Sequence, residues 1–162
     1  MAGEHVSLNS CRGCYIVIKK KGKKLNMKNV LYIVWSDNNR LGIPIIDEQH
    51  RGIVSIINSL HYFIQKGRGE KILQPTLIML EQHIHIHFET EESLMAEAGY
   101  PALEEHVLLH KELARKTENV SREVIMDKDL DMMLKFLKEW WTGHINREDK
   151  KYVPFVRKIT DT

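Results

Sequence analysis

The stretch His87-Phe88-Glu89-Thr90-Glu91-Glu92-Ser93-Leu94-Met95-Ala96-Glu97-Ala98-Gly99-Tyr100-Pro101-Ala102-Leu103-Glu104-Glu105-His106-Val107-Leu108-Leu109-His110 reads as a helix end, a tight turn and a helix start. Gly99 tolerates a left-handed cap and Pro101 cannot continue a helix, so the first helix stops here. His87 and Glu91 stand four apart before the turn, and His106 and His110 stand four apart after it. Side chains four apart share one helix face. Because the two pairs lie at comparable distances from the turn, two neighbouring helices should bring them together.

The same periodicity extends in both directions. Upstream, Leu73, Leu77, Leu80 and Ile84 lead into His87, which predicts a helix over about 72–98. Before it, Ile53, Ile57, Leu60 and Ile64 predict a helix over about 47–65 that Gly67 and Gly69 end. Downstream, Leu103, His106, His110, Leu113, Thr117 and Val120 define a third seam over about 102–124, with polar residues in the middle of the stripe. Leu130, Met133, Leu137, Trp141 and His144 define a fourth over about 129–149. No segment shows strand alternation. Four such helices with short connections predict an all-α fold, an up-down-up-down four-helix bundle over residues 35–160, with Pro154 and Phe155 in a short tail against it.

Residues 1–34 do not share this pattern. Lysine and glycine are dense there, and the sequence reads as an irregular N-terminal extension. Lys19 to Lys24 would be encoded by purine-rich codons just upstream of Met27, as a ribosome-binding site is, so Met27 is an expected translation start. The Cys11-Arg12-Gly13-Cys14 pair is too small to complete a tetrahedral zinc site with only His5 nearby.

Composition narrows the function classes. At 162 residues the chain is long enough for one domain with a real core. A 43% apolar and 28% charged composition is that of a globular protein. The longest apolar run, Val30 to Trp35, falls far short of the roughly 20 residues a spanning helix needs, and the lysine cluster interrupts any signal-peptide core. A cytoplasmic location is the expectation. With 24 basic and 22 acidic residues and a net charge of +2, there is no field suited to nucleic acid.

Histidine is the unusual residue, with nine copies. One pair at a fixed spacing carries little weight, since chance alone supplies about half a pair in such a chain. Matched placement on several helices carries more. His50 near the start of the first helix and His144 near the end of the fourth reach the layer of His87, Glu91, His106 and His110 if the helices alternate in direction. Burying this many imidazoles with a carboxylate costs several kcal/mol unless partners or a metal remove the penalty. Asp149 stays open on this ground. Five residues after His144, it lies about 140° around an ideal helix, reading equally as an exposed residue or, through a π-type turn, as a ligand.

The order His50, His87-x-x-x-Glu91, His106-x-x-x-His110, His144-x-x-x-x-Asp149 resembles the hemerythrins, over about residues 32–156. Asp47-Glu48-Gln49-His50-Arg51, His87-Phe88, Glu91-Glu92, Leu94-Met95, Gly99-Tyr100-Pro101 and Trp140 are similar to the bacterial branch. The resemblance implies two non-heme iron ions (Fe2+/Fe3+) with a bridging oxide or hydroxide. It assigns His106, His110 and His144 to one iron, His50 and His87 to the other, and Glu91 and Asp149 as bridges. Two octahedral irons offer about twelve positions, and this set fills about eleven. The open one lies on the iron with two histidines, where the family binds dioxygen.

Reversible dioxygen binding for storage, delivery or buffering is therefore the expected function, with no catalysis and with an oxygen-consuming enzyme or redox protein as a partner. The alternatives are a sensor of oxygen, nitric oxide or redox state acting through a partner, and a di-iron redox enzyme. Two positions depart from the family pattern. Trp141 stands where an aliphatic residue usually lines the dioxygen pocket and reads as core filling or a narrowed pocket. His83, where tyrosine is more usual, reads as a satisfied core histidine rather than a group orienting a ligand. His5, His61 and His85 read as solvent-facing or incidental.

Overall fold

The computed structural model describes residues 31–160, so His5, Cys11, Cys14 and Met27 lie outside the described residues. The described chain is all-helical, without a strand. Its helices are α1 (Pro44–Gln65), α2 (Gly69–Glu97), α3 (Leu103–Asp127), α4 (Leu130–Trp140) and α5 (Val153–Thr160). A π-helical segment, Trp141–Glu148, continues α4 and is followed by a 3-10 turn, Asp149–Lys151.

Local chemistry sets the ends of these helices. Pro44 opens α1, where its missing N–H costs nothing and its φ is already helical. Asp47, in the first turn, is buried and accepts from the backbone N–H groups of Leu41 at 2.7 Å and Gly42 at 3.1 Å. It thereby folds the preceding loop onto the helix. At the far end of α1, Gly67 adopts φ +65°. Its N–H reaches the Ile64 carbonyl while that of Arg68 reaches Phe63, the paired bonds of a Schellman cap. Gly99 at φ +61° repeats the device after α2, with Tyr100 N–H bonded to the Met95 carbonyl. The Asp129 carboxylate caps α4 by accepting from Met132 N–H at 2.9 Å.

Three helix boundaries differ from the sequence expectation, the first being the start of α1 at Pro44, three residues early. Gly69 begins α2 instead of ending α1. Added there, a Cβ would stand 2.6 Å from Leu130 Cδ1 and 2.7 Å from Ile64 Cγ1, so the residue is a point of close approach. α3 runs on to Asp127 and ends on Lys128 at φ 57°, a left-handed cap without glycine. That conformation costs a non-glycine residue about 1–2 kcal/mol, and no sequence rule marks lysine for it.

α1 packs on α2, α2 on α3 and α3 on α4; α1 also meets α4, and α5 lies against α2. The core divides into two apolar clusters. The larger holds Ile53, Ile57, Leu60, Leu77, Leu80, Ile84, Val124, Leu137 and Trp141, among others. The smaller joins Leu41, Ile43, Ile46 and Met95 to Tyr152 and Val156. Along α1 the chain passes from the smaller cluster through His50 to the larger; along α2 it passes from the larger through His87 and Glu91 to the smaller. The same reversal repeats on α3 and on the α4 segment. A buried polar layer therefore lies between two apolar ones.

Before α1, residues 31–43 lie against this body. The Asn58 side chain accepts from the N–H groups of Tyr32 and Ile33 at 2.8 and 2.9 Å and donates to the Ile33 carbonyl at 2.8 Å. No described helix is long and apolar enough to cross a membrane.

Candidate metal centre

Seven side chains meet in the polar layer: His50 from α1, His87 and Glu91 from α2, His106 and His110 from α3, His144 from the π-helical segment and Asp149 after it. None is more than 7% exposed. The i to i+5 spacing works because the segment is π-helical. Asp149 N–H bonds to the His144 carbonyl, five residues back, which brings the two side chains into line. His144 Nε2 and Asp149 Oδ1 are 3.2 Å apart.

The potential ligand atoms fall into two groups, each within 4.8 Å of one another. One is Glu91, His106, His110 and His144, and the other is His50, His87, Glu91 and Asp149. Both carboxylates divide their oxygens between the groups. Glu91 presents Oε1 to His87 at 3.6 Å and Oε2 to His110 at 3.1 Å. Asp149 presents Oδ2 to His50 at 3.4 Å and Oδ1 to His106 at 3.6 Å. A carboxylate so placed offers one oxygen to each of two cations.

The fit to metal ions rests on unmet bonding capacity. Among the described residues, Nε2 of all five histidines is buried and has no hydrogen-bond partner, and neither do Glu91 Oε2 and both Asp149 oxygens. Buried polar groups are nearly always paired. Here eight atoms converge unpaired, and five imidazole nitrogens with carboxylate oxygens form a donor set suited to first-row transition metals.

Electrostatics agree. Burial pushes His50 and His144 down to about 3, with other imidazoles adding to the effect, so both rings are neutral and free to donate a lone pair. For Asp149, burial and the neighbouring Glu91 and Glu148 charges raise the carboxyl well above its ordinary range. Burial acts upward on Glu91 too, but the facing His87, His106 and His110 outweigh it and hold the carboxyl well below its ordinary range. Two buried carboxylates this close need positive charge to ionise together.

Partners behind the seven residues set their orientation. Tyr152, fully buried, donates to Glu91 Oε1 at 2.5 Å. Gln49 Oε1 lies 3.1 Å from His87 Nδ1, and Glu92 Oε1 lies 2.8 Å from His110 Nδ1. Gln49 and Glu92 adjoin ligand positions in the motif, but the sequence holds no signal for these bonds, nor any for Tyr152.

The remaining histidines differ from one another. His83 Nε2 lies 2.9 Å from the Gln49 carbonyl, so it is a satisfied histidine outside the centre. Gly52 makes room for it, since a Cβ there would stand 2.5 Å from His83 Cε1. His85 is exposed and lies 3.8 Å from Glu89. His61 departs from expectation: it is buried, with its ring 5.2 Å from that of Tyr32. The cause is its place on the inner face of α1, one residue past Leu60. Trp141 is buried with its ring 6.0 Å from His50 and 5.9 Å from Trp35, so it walls the two-histidine side.

A family model described as the hemerythrin HHE cation binding domain matches residues 41–156. The chain is 33% identical over 127 residues to a bacteriohemerythrin of Pseudomonas aeruginosa, covering 78% of this chain and 82% of that protein. It is 31% identical over 127 residues to a bacteriohemerythrin of Clostridium acetobutylicum, covering 74% and 98%. A bacteriohemerythrin of Methylococcus capsulatus is 27% identical over 117 residues, covering 69% and 86%.

Proposed function

From the premise that the chain belongs to the hemerythrin family, we propose that it binds dioxygen reversibly at a pair of non-heme irons and serves in oxygen storage, delivery or buffering. When bound, the iron pair supplies the electrons and the vacant coordination position that reversible dioxygen binding needs. The observation that carries the proposal is the unequal division of five unpartnered imidazole nitrogens, with a carboxylate oxygen turned to each group. His106, His110 and His144 would hold one iron, His50 and His87 the other, and Glu91 and Asp149 would bridge them. With one imidazole fewer, the His50 and His87 side would leave a coordination position for a small ligand.

The rest of the chain supports binding rather than turnover. Ligands that are mainly neutral histidines leave the site less anionic than a carboxylate-rich one, which disfavours high oxidation states. Trp141 and the larger apolar cluster keep water from the His50 side. Tyr152 keeps the Glu91 carboxylate in one orientation by donating its proton.

An up-down-up-down four-helix bundle over residues 35–160 is part of the proposal, with residues 1–34 as an N-terminal extension. The alternating passage of successive helices between the two apolar clusters supports it. A cytoplasmic site of action and an oxygen-consuming or redox partner complete the reading.

Dioxygen uptake by the reduced, iron-loaded protein tests this, with iron counted per chain. One dioxygen taken up per two irons and returned under vacuum is the expected result. Uptake without return would replace the carrier with a redox enzyme or sensor.

A further inference from the structure

The two groups of ligands are backed by partners of different charge. Glu92 places a carboxylate oxygen 2.8 Å from His110 Nδ1, and its side chain is 34% exposed, so water supports the charge. Gln49 places an amide oxygen 3.1 Å from His87 Nδ1.

The far end of Gln49 establishes which way its amide points. Thr90 Oγ1 donates to the Ile86 carbonyl at 2.7 Å, so only its lone pairs face Gln49 Nε2, 2.9 Å away. The amide nitrogen must therefore point to Thr90 and the amide oxygen to His87. His87 Nδ1 consequently carries the ring proton, and Nε2 keeps its lone pair toward the centre. His50, the other imidazole on this side, has a buried Nδ1 with no partner among the described residues.

A carboxylate that accepts an imidazole N–H draws on that proton, makes the ring more basic and strengthens donation from the opposite nitrogen. A neutral amide does this far less, and an unpartnered nitrogen not at all. Resting on the proposed ligand set, we infer that Glu92 and Gln49 are positioning residues that make the two metal positions unequal. The three-histidine position, with Glu92 behind His110, holds its metal more tightly and stabilises the more oxidised state. The two-histidine position, with Gln49 behind His87 and no described residue hydrogen-bonded to His50 Nδ1, fills last and keeps the more electrophilic metal. The difference places that metal where the proposed vacancy lies.

Titration of the metal-free full-length chain with Co2+ under anaerobic conditions, followed by visible absorption and calorimetry, tests the inference. Two separable steps are expected in the unaltered chain. Glu92→Gln should weaken the tighter step by about 10–100-fold and leave the weaker one. Gln49→Glu should tighten the weaker step, and the double exchange should narrow or reverse the gap. In the iron-loaded protein, Glu92→Gln should also raise the potential of the first one-electron oxidation, which a purely structural role would not do. Two Co2+ per chain bound with equal affinity in all variants would overturn the inference and leave the metal pair standing. Fewer than two Co2+ per chain would overturn the ligand assignment beneath it.

Discussion

Tyr152 and Glu91, 61 residues apart in sequence, form a buried hydrogen bond of 2.5 Å between a phenol and a carboxylate oxygen. Glu91 is the only residue common to both groups of potential ligands among the described residues. Tyr152→Phe keeps the ring and removes the proton, leaving a buried Glu91 oxygen without its donor. A loss of roughly 1–3 kcal/mol in the metal-free protein is expected, read as a lower midpoint in urea. Metal loading should recover part of it. An unchanged midpoint in the metal-free form would mean that water replaces the hydroxyl.

Trp141 stands between His50 and Trp35. Trp141→Leu removes ring atoms from the wall of the two-histidine side and leaves a space that water can enter. The oxygenated form should then autoxidise faster, as followed by decay of its visible band. A rate equal to that of the unaltered protein would make Trp141 core filling alone.

Gly52 and His83 make a prediction whose sign is unusual. Within a helix, glycine to alanine ordinarily stabilises by up to about 1 kcal/mol. Here the added Cβ would meet His83 at 2.5 Å and disturb its bond to the Gln49 carbonyl. Gly52→Ala should therefore destabilise, by roughly 1–3 kcal/mol. The double variant Gly52→Ala/His83→Ala should recover part of the loss relative to His83→Ala. Stabilisation by Gly52→Ala in thermal unfolding would show that His83 moves aside freely.

These relationships mark where the sequence was legible. The helices could be read because their apolar spacing is regular through Leu73, Leu77, Leu80 and Ile84, and because glycines stand at the caps. Six of the seven clustered residues could be read because each sits on an inner helix face at matched depth. Asp149 could not be placed by spacing alone, since a regular helix points it away and only the π-helical segment brings it in. Gln49, Glu92 and Tyr152 stayed hidden because their bonds span 38, 18 and 61 residues, and such pairs exist only once the helices are packed. His61 was misplaced because a histidine beside a seam looks like a surface residue until the neighbouring Tyr32 covers it.

The histidines also predict a pH dependence. His50 and His144 have an ordinary value of 6.5 when unfolded and about 3 in the folded, metal-free chain. Between those values the unfolded chain binds more protons, so stability rises with pH and is lost as pH falls from about 6.5 toward 3. Glu91, held below its ordinary value, adds to this loss, whereas Asp149, pushed above its own, opposes it. The urea midpoint of metal-free protein should fall between pH 7 and pH 5. A midpoint that stays level or rises would contradict the neutral, buried state of these rings.

The visible spectrum of anaerobically iron-loaded protein, recorded before dioxygen, with it and after flushing, with iron counted per chain, tests the central claim most directly. Two irons per chain, with a charge-transfer band that appears with dioxygen and disappears on flushing, is the predicted result. An immediate passage to an oxidised spectrum that flushing does not reverse would contradict reversible binding.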